Sequence, residues 1–234
     1  LNFNGVEVCG ILIGVVNPLR GGPVRINREQ VLAAALDLLD EVGLDQLTMR
    51  RLATALGVQN GATYWHFRSK QALLEAMADE LLTGVADVDD GPWDVQVTEL
   101  ATRLRQALLS RRDGARVFSG VFFPLPNALA YGNALIGALL AAGLSAQDAA
   151  WTADSVTYHV VAHTLEEQLP SEGPDRLVGA VDPARHPHLH AALAHVPSPH
   201  PDSHFSHGLR LILDGIRAAV GRSGRPAPPT DQPC

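Results

Sequence analysis

The sequence predicts an all-α protein. Apolar residues recur at helical spacing through most of the chain, and capping residues and glycines bracket those runs. Alternating β-branched runs and hairpin turns are scarce. The chain has 234 residues, 46% of them hydrophobic and 18% charged, which suits a soluble globular protein large enough for a small head and a larger body.

Asn27 stands before the first helix with Gln30 three residues on, a capping-box spacing. Val31, Ala35, Leu38, Leu39 and Val42 follow on one face, and Gly43 sits where a terminating glycine belongs. Thr48 can cap a second helix that runs to Leu56 and stops at Gly57. A third short helix fits residues 60–66, and Ser69 can cap a fourth with the stripe Leu73, Leu74, Met77, Leu81 and Leu82. The stretch "DVDDGPWD" (87–94) is the first strong break and separates head from body. Helical patterns then recur at 94–111, 127–142, 146–168 and 203–220, the last carrying Phe205, Leu209, Ile212, Leu213 and Ile216. Residues 170–202, rich in Pro, His and Ala, read mainly as a long loop. The resulting division is an extension without order (1–22), a head (23–70), a body (71–221) and a tail without order (222–234).

Cys9 and Cys234 cannot build a disulfide framework or a zinc site by spacing, which fits a reducing cytoplasm. The apolar run "VEVCGILIGVV" is too short to span a bilayer and lacks a basic leader, so neither membrane anchoring nor secretion is expected. The net charge of −7 argues against a nucleic-acid partner until its distribution is considered. Residues 20–70 carry +2, whereas residues 71–234 carry −8.

The most informative stretch is "GVQNGATYWHFRSKQALL" (57–74). Tyr64, Trp65, His66 and Phe67 are consecutive on a helix, so they point most of the way round it and cannot share one core. Just upstream a helix ends, Gly57 turns the chain, and a second helix starts within a few residues; Leu52, Leu56 and Val58 are placed to form the small core between them, with Ala53 at the crossing. This is helix-turn-helix spacing, in which the second helix enters the DNA major groove. From the residues alone two readings stand, a DNA-reading corner or an ordinary helical corner with an aromatic patch.

The same stretch, preceded by "LDLLDEVGLDQLTMRRLATAL", resembles the DNA-binding head of the TetR family of bacterial transcriptional repressors. In the body, "ALLSRRDGARVFSG", "HTLEEQ" and "FSHGLRLILDGI" are similar to segments of that family's tetracycline-binding members. The resemblance implies a three-helix DNA-binding head followed by a helical ligand-binding and dimerisation body. It implies DNA contacts by Arg50, Asn60, Gly61, Ala62, Tyr64, His66 and Lys70, with Arg50 suited to guanine and Lys70 to phosphate. Trp65 and Phe67 are then expected against the head's core, and Thr63, where the family carries a larger apolar residue, is expected to loosen the packing. Arg51 and Arg68 fit phosphate contacts or plain solvated charge equally.

A homodimer, a palindromic operator and a small-molecule effector follow from the same resemblance. The wide apolar stripe of 203–220 fits a dimer face, and fits burial within one chain as well. Where the tetracycline-binding members hold magnesium-tetracycline with a His and a Thr, this chain has Phe118 and Val121; Glu166 matches their acidic residue. The expected effector is therefore apolar, near Leu104, Phe118, Val121, Phe122, His159, His163 and Glu166, with no cofactor and no metal.

The run His186, His188, His190, His195, His200, His204 and His207 admits metal binding or a loop over the pocket, but Pro187, Pro197, Pro199 and Pro201 interrupt it. The rival function is a metal-dependent hydrolase or metal-sensing regulator built on His159, His163 and Glu166. The chain has no HExxH, nucleophile elbow or P-loop to support an enzyme. A non-specific DNA-compacting role conflicts with the acidic body.

Overall fold

The computed structural model describes residues 26–120, 124–169, 174–195 and 200–223. The sequence expectations for 1–22, Val121, Phe122 and the tail from 224 lie outside these residues. The described residues are helical, with no strand among them.

Helix α1 (Arg28–Val42) begins with a complete capping box, Asn27 Oδ1 accepting from the Gln30 N–H at 2.7 Å and Gln30 Oε1 accepting from the Asn27 N–H at 2.9 Å. It ends at Gly43, whose φ of +77° an L side chain rarely adopts. Helices α2 (Met49–Ala55), α3 (Asn60–His66) and α4 (Lys70–Leu81) follow, α2 and α4 capped by Thr48 and Ser69 as the sequence predicts. Val31, Leu32, Ala35, Leu36 and Leu39 of α1 pack on Leu47, Leu52, Phe67, Leu73 and Met77 to form the head's core. The Arg28 guanidinium lies over the Phe67 ring, 4.7 Å from its centroid.

In the body, α5 (Trp93–Leu109), α7 (Pro126–Ala141) and α8 (Ala146–Gln168) pack on one another, and α11 (Pro201–Ser223) runs along α8. Two features depart from the sequence reading. A short helix α6 (Gly114–Ser119) follows α5. The stretch read mainly as a loop holds α9 (Pro174–Ala180), α10 (Pro187–Ala192) and a 3₁₀ turn (Leu193–His195), short pieces that few apolar contacts mark in the sequence. Leu100, Leu104 and Leu108 of α5, Leu135 and Leu139 of α7, and Val156 and Val160 of α8 are fully enclosed. Most of the α11 stripe is also buried within the chain: Phe205, Leu209, Leu213 and Ile216 are covered, with Ile212 half-covered. Intramolecular packing therefore accounts for that stripe. The exposed apolar side chains on this side are Trp151 and Tyr158 of α8 and Leu211 of α11.

Head and body share α4, which packs on α1, α6 and α7. Asp79 of α4 receives the Ala128 N–H at 2.9 Å, satisfying an N-terminal donor of α7, a helix whose own N-cap residue makes no side-chain bond.

The seam between α5, α8 and α11 is polar. Arg105 holds Glu167 through two bonds of 2.8 Å and Asp202 at 2.6 Å, and Glu167 accepts from the His163 ring at 2.8 Å. His159 stacks on Phe205 and donates from Nε2 to the Phe205 carbonyl at 3.0 Å. Gly208 permits this approach, because a Cβ there would collide with the His159 ring. Burial pushes the His159 pKa down, outweighing the raising effect of its bond to Phe205, with His163 and His204 adding repulsion. Burial pushes Glu167 up, but hydrogen bonds from Arg105 and His163 outweigh it, leaving the carboxylate below its ordinary value.

Both shifts favour the fold at higher pH. The His159 contribution is full above the ordinary histidine value of 6.5 and is lost as pH falls through its lowered folded value. The Glu167 contribution is full above 4.5 and is lost further into acid. Urea midpoints are therefore expected to be flat near pH 7.5 and to fall by pH 5.5, and His159→Gln is expected to flatten that first decline. Leu135→Ala, which empties a fully enclosed site, is expected to destabilise the protein by about 2–5 kcal/mol in urea unfolding.

Candidate nucleic-acid interface

The α2–α3 corner is set by backbone bonds. With Gly57 at φ +66°, the Val58 N–H reaches the Ala53 carbonyl at 3.0 Å and the Gly57 N–H reaches Thr54 at 3.1 Å, a Schellman closure of α2. Leu52 and Ala53 are buried beneath the corner, and α3 begins three residues after the glycine.

Only one edge of α3 faces inward. Thr63 is 0% exposed, and Phe67, four residues on, is 2% exposed. Trp65 is 88% exposed, which corrects the expectation that it packs on the core. The reason is angular: position 65 lies about 200° round the helix from position 63, so burying the Thr63–Phe67 edge turns Trp65 outward. Thr63 is enclosed, and its hydroxyl donates to the Asn60 carbonyl at 2.9 Å.

Asn60, Gly61 and Tyr64 lie on the exposed side, with Ala62 and His66 half-buried at its margins. Nothing stands within 4 Å of where a Gly61 Cβ would be, so the backbone there is open to close approach. Arg50 and Arg51 on α2 and Arg68 before α4 are exposed, and Lys70, the first residue of α4, is half-buried. Arg50, Arg51 and Arg68 form no ion pair among the described residues. In the body Arg103, Arg105, Arg111, Arg116 and Arg217 each hold a carboxylate. The head thus presents free cations around an uncovered helix face, despite the acidic whole.

The predicted ligand residues are more scattered. Leu104 is fully buried on α5 and Phe118 is half-buried on α6 against the core, while His159 and His163 meet in the α8–α11 seam with ring centroids 5.9 Å apart. Glu166 is exposed, and the carboxylate that faces the seam is Glu167. The signal for Glu167 was its i, i+4 spacing from His163. Of the histidine run, His204 meets the seam, its ring 4.9 Å from that of His163. His186, His188, His190, His195, His200 and His207 are exposed, and no three His, Cys, Asp or Glu side chains among the described residues are grouped to hold a metal.

Comparison with known proteins agrees with this architecture. Residues 31–77 match the family model "Bacterial regulatory proteins, tetR family", and residues 86–220 match "Tetracyclin repressor-like, C-terminal domain". The chain is 40% identical over 198 residues to the class A tetracycline repressor protein from transposon 1721 of Escherichia coli, covering 82% of this chain and 91% of that protein. A crystal structure of a possible TetR family transcriptional regulator from Streptomyces coelicolor A3(2) is similar at 46% identity and TM-score 0.77, covering 82% of this chain and all of that one, at 100%. BioQ, a Mycobacterium smegmatis protein also solved with its double-stranded DNA operator, is similar at 35% identity and TM-score 0.63, over 83% of this chain and 99% of its own. With both halves matched and the corner geometry in place, the chain belongs to the TetR family of bacterial regulatory proteins.

Proposed function

We propose that this chain is a homodimeric, operator-binding repressor of the cytoplasm, released from DNA by a small and largely apolar ligand, and not an enzyme. The observation that carries the reading is the outward face of α3, exposed along Asn60, Gly61, Tyr64 and Trp65 and flanked by Arg50, Arg51 and Arg68, which are exposed and hold no carboxylate among the described residues. A helix held along one edge can enter a major groove with the other edge bare. Arg50 is the residue for a guanine edge and Asn60 for an adenine edge, while Tyr64, His66 and Lys70 engage phosphate or base and Gly61 and Ala62 permit close approach. The exposed stripe Trp151, Ser155, Tyr158 and Ala162 of α8 carries no charge and suits a two-fold contact with a second copy. BioQ, solved on its operator, supports a DNA partner.

Two α3 helices one helical turn of DNA apart would read a palindrome. A ligand that binds better to a body conformation with a different separation weakens DNA binding by its differential affinity for the two states. The enclosed Leu104 and the half-buried Phe118, which replaces a metal-ligating His of the tetracycline-binding members, support an apolar ligand.

Enrichment of duplexes from a random-sequence pool, followed by fluorescence anisotropy, tests the DNA reading; enrichment of no palindrome at low salt would sink it. Arg50→Ala is expected to cost about 1–3 kcal/mol on the enriched duplex and to relax preference at one base pair. Lys70→Ala is expected to weaken all duplexes alike and to lower the salt slope by about one per protomer. Magnesium-tetracycline is expected to leave the complex intact while hydrophobic aromatic compounds release it; release by magnesium-tetracycline alone would overturn the apolar-ligand assignment.

A further inference from the structure

Helix α1 ends against its own dipole. Asp37, Asp40 and Glu41 crowd its C-terminal turns, and no basic residue stands in the last one. The body supplies the missing cations from the corner between α5 and α6. Arg111 Nη1 lies 2.6 Å from Asp40 and 3.3 Å from Asp37. The Arg112 N–H donates to Asp40 at 2.8 Å, and Arg112 Nη1 donates to the Glu41 carbonyl at 3.1 Å. Past the helix end, Asp113 accepts the Leu44 N–H at 2.8 Å, and Arg116 binds both Asp45 at 2.8 Å and Asp113 at 3.1 Å. Asp113 makes these contacts from a left-handed backbone with φ of 57°, which a short polar side chain tolerates.

The corner is itself gripped by the end of α8. Gln168 Nε2 donates to the carbonyls of Leu108 and Arg111 at 3.0 and 2.9 Å, and its Oε1 accepts the Ala115 N–H at 3.1 Å. One side chain at the C-terminal end of α8 therefore fixes the corner, and the corner holds the α1–α2 turn. Covalently the head continues into the body through α4; this attachment reaches it from α1. Helix α4 itself packs on α6 and α7, and a second attachment on a different helix fixes the head's angle about α4. Exposed ion pairs of this kind are individually weak, so their collective effect is orientation more than stability.

We infer that Arg111, Arg116 and Gln168 are positioning residues that set the angle of the DNA-reading head on the body, and thereby the half-site spacing that a dimer of this chain accepts. The inference rests on the operator-binding dimer proposed above. Moving two half-sites by one base pair displaces them by about 3.4 Å and rotates them by about a tenth of a turn, which a fixed head cannot follow.

The test compares full-length wild type with Arg111→Ala/Arg116→Ala, Arg111→Lys/Arg116→Lys and Gln168→Ala. Hydrogen exchange without DNA comes first. In the double-alanine protein the Leu44 and Leu47 amides are expected to exchange at least tenfold faster, with Leu104 and Val160 unchanged and the lysine variant intermediate. Unchanged Leu44 exchange would overturn the attachment. Anisotropy then uses the duplex that wild type enriches and versions with half-sites one base pair closer or farther apart. Wild type is expected to lose more than tenfold on the shifted duplexes and the double-alanine protein less than threefold, with lysine restoring discrimination. Gln168→Ala, which loosens the corner without altering charge, is expected to behave like the double-alanine protein. Full spacing discrimination in both loosened variants would overturn the inference. Failure of wild type to enrich any duplex would instead defeat the operator reading, and the spacing role with it, while the exchange result would still judge the contact.

Discussion

The inward edge of α3, Thr63 followed by Phe67, is the contact on which the rest of the head depends. A helix of seven residues is too short to persist by its own backbone bonds. It is held because Phe67 enters the head's core beneath the Arg28 guanidinium, Thr63 is fully enclosed and α3 packs on α2. That economy leaves Asn60, Gly61, Tyr64 and Trp65 of α3 exposed. The exposed Trp65 follows from the same geometry: one buried edge is enough to anchor the helix, and more would cover the surface that DNA must reach.

Charge is distributed by the same logic. The protein carries −7 overall, yet its arginines are not placed alike. Five of the body, Arg103, Arg105, Arg111, Arg116 and Arg217, are held by carboxylates, some of them bridging helices, as Arg105 does between α5, α8 and α11 and Arg116 between the α5–α6 corner and the α1–α2 turn. Those flanking α3 are left unpaired among the described residues. Local availability of positive charge, and not the total, decides where a polyanion is attracted. An acidic body also discourages the protein from lying along DNA by any surface but the head.

Head and body are continuous through α4 and joined again at the α5–α6 corner. Asp79 of α4 caps α7, so the helix that leaves the head also terminates a body helix. Gln168 ties the end of α8 to the corner that holds α1. Displacements of α8 or α6 are therefore mechanically connected to the DNA-reading surface through short, directional bonds, which is what an effector-responsive regulator needs between two distant sites.

Local chemistry made most of the helices legible in advance. Asn27 with Gln30, Thr48, Gly57 and Ser69 act on neighbours within a few residues, so their roles were visible in the chain before any packing was known. The same locality exposed the α2–α3 corner and, through resemblance, its family. Helix α6 and the pieces between 174 and 195 escaped because short helices carry too few apolar positions to show a period. Which member of an aromatic quartet turns inward, whether Glu166 or Glu167 meets a histidine, and which arginines are spent on partners are set by contacts between residues far apart in the chain. Sequence alone thus determined the helical alphabet and the α2–α3 corner, because caps and periodicity are short-range; the direction of each side chain and the attachment of head to body were decided only by tertiary packing, because a helix face acquires a meaning only once a neighbour covers it.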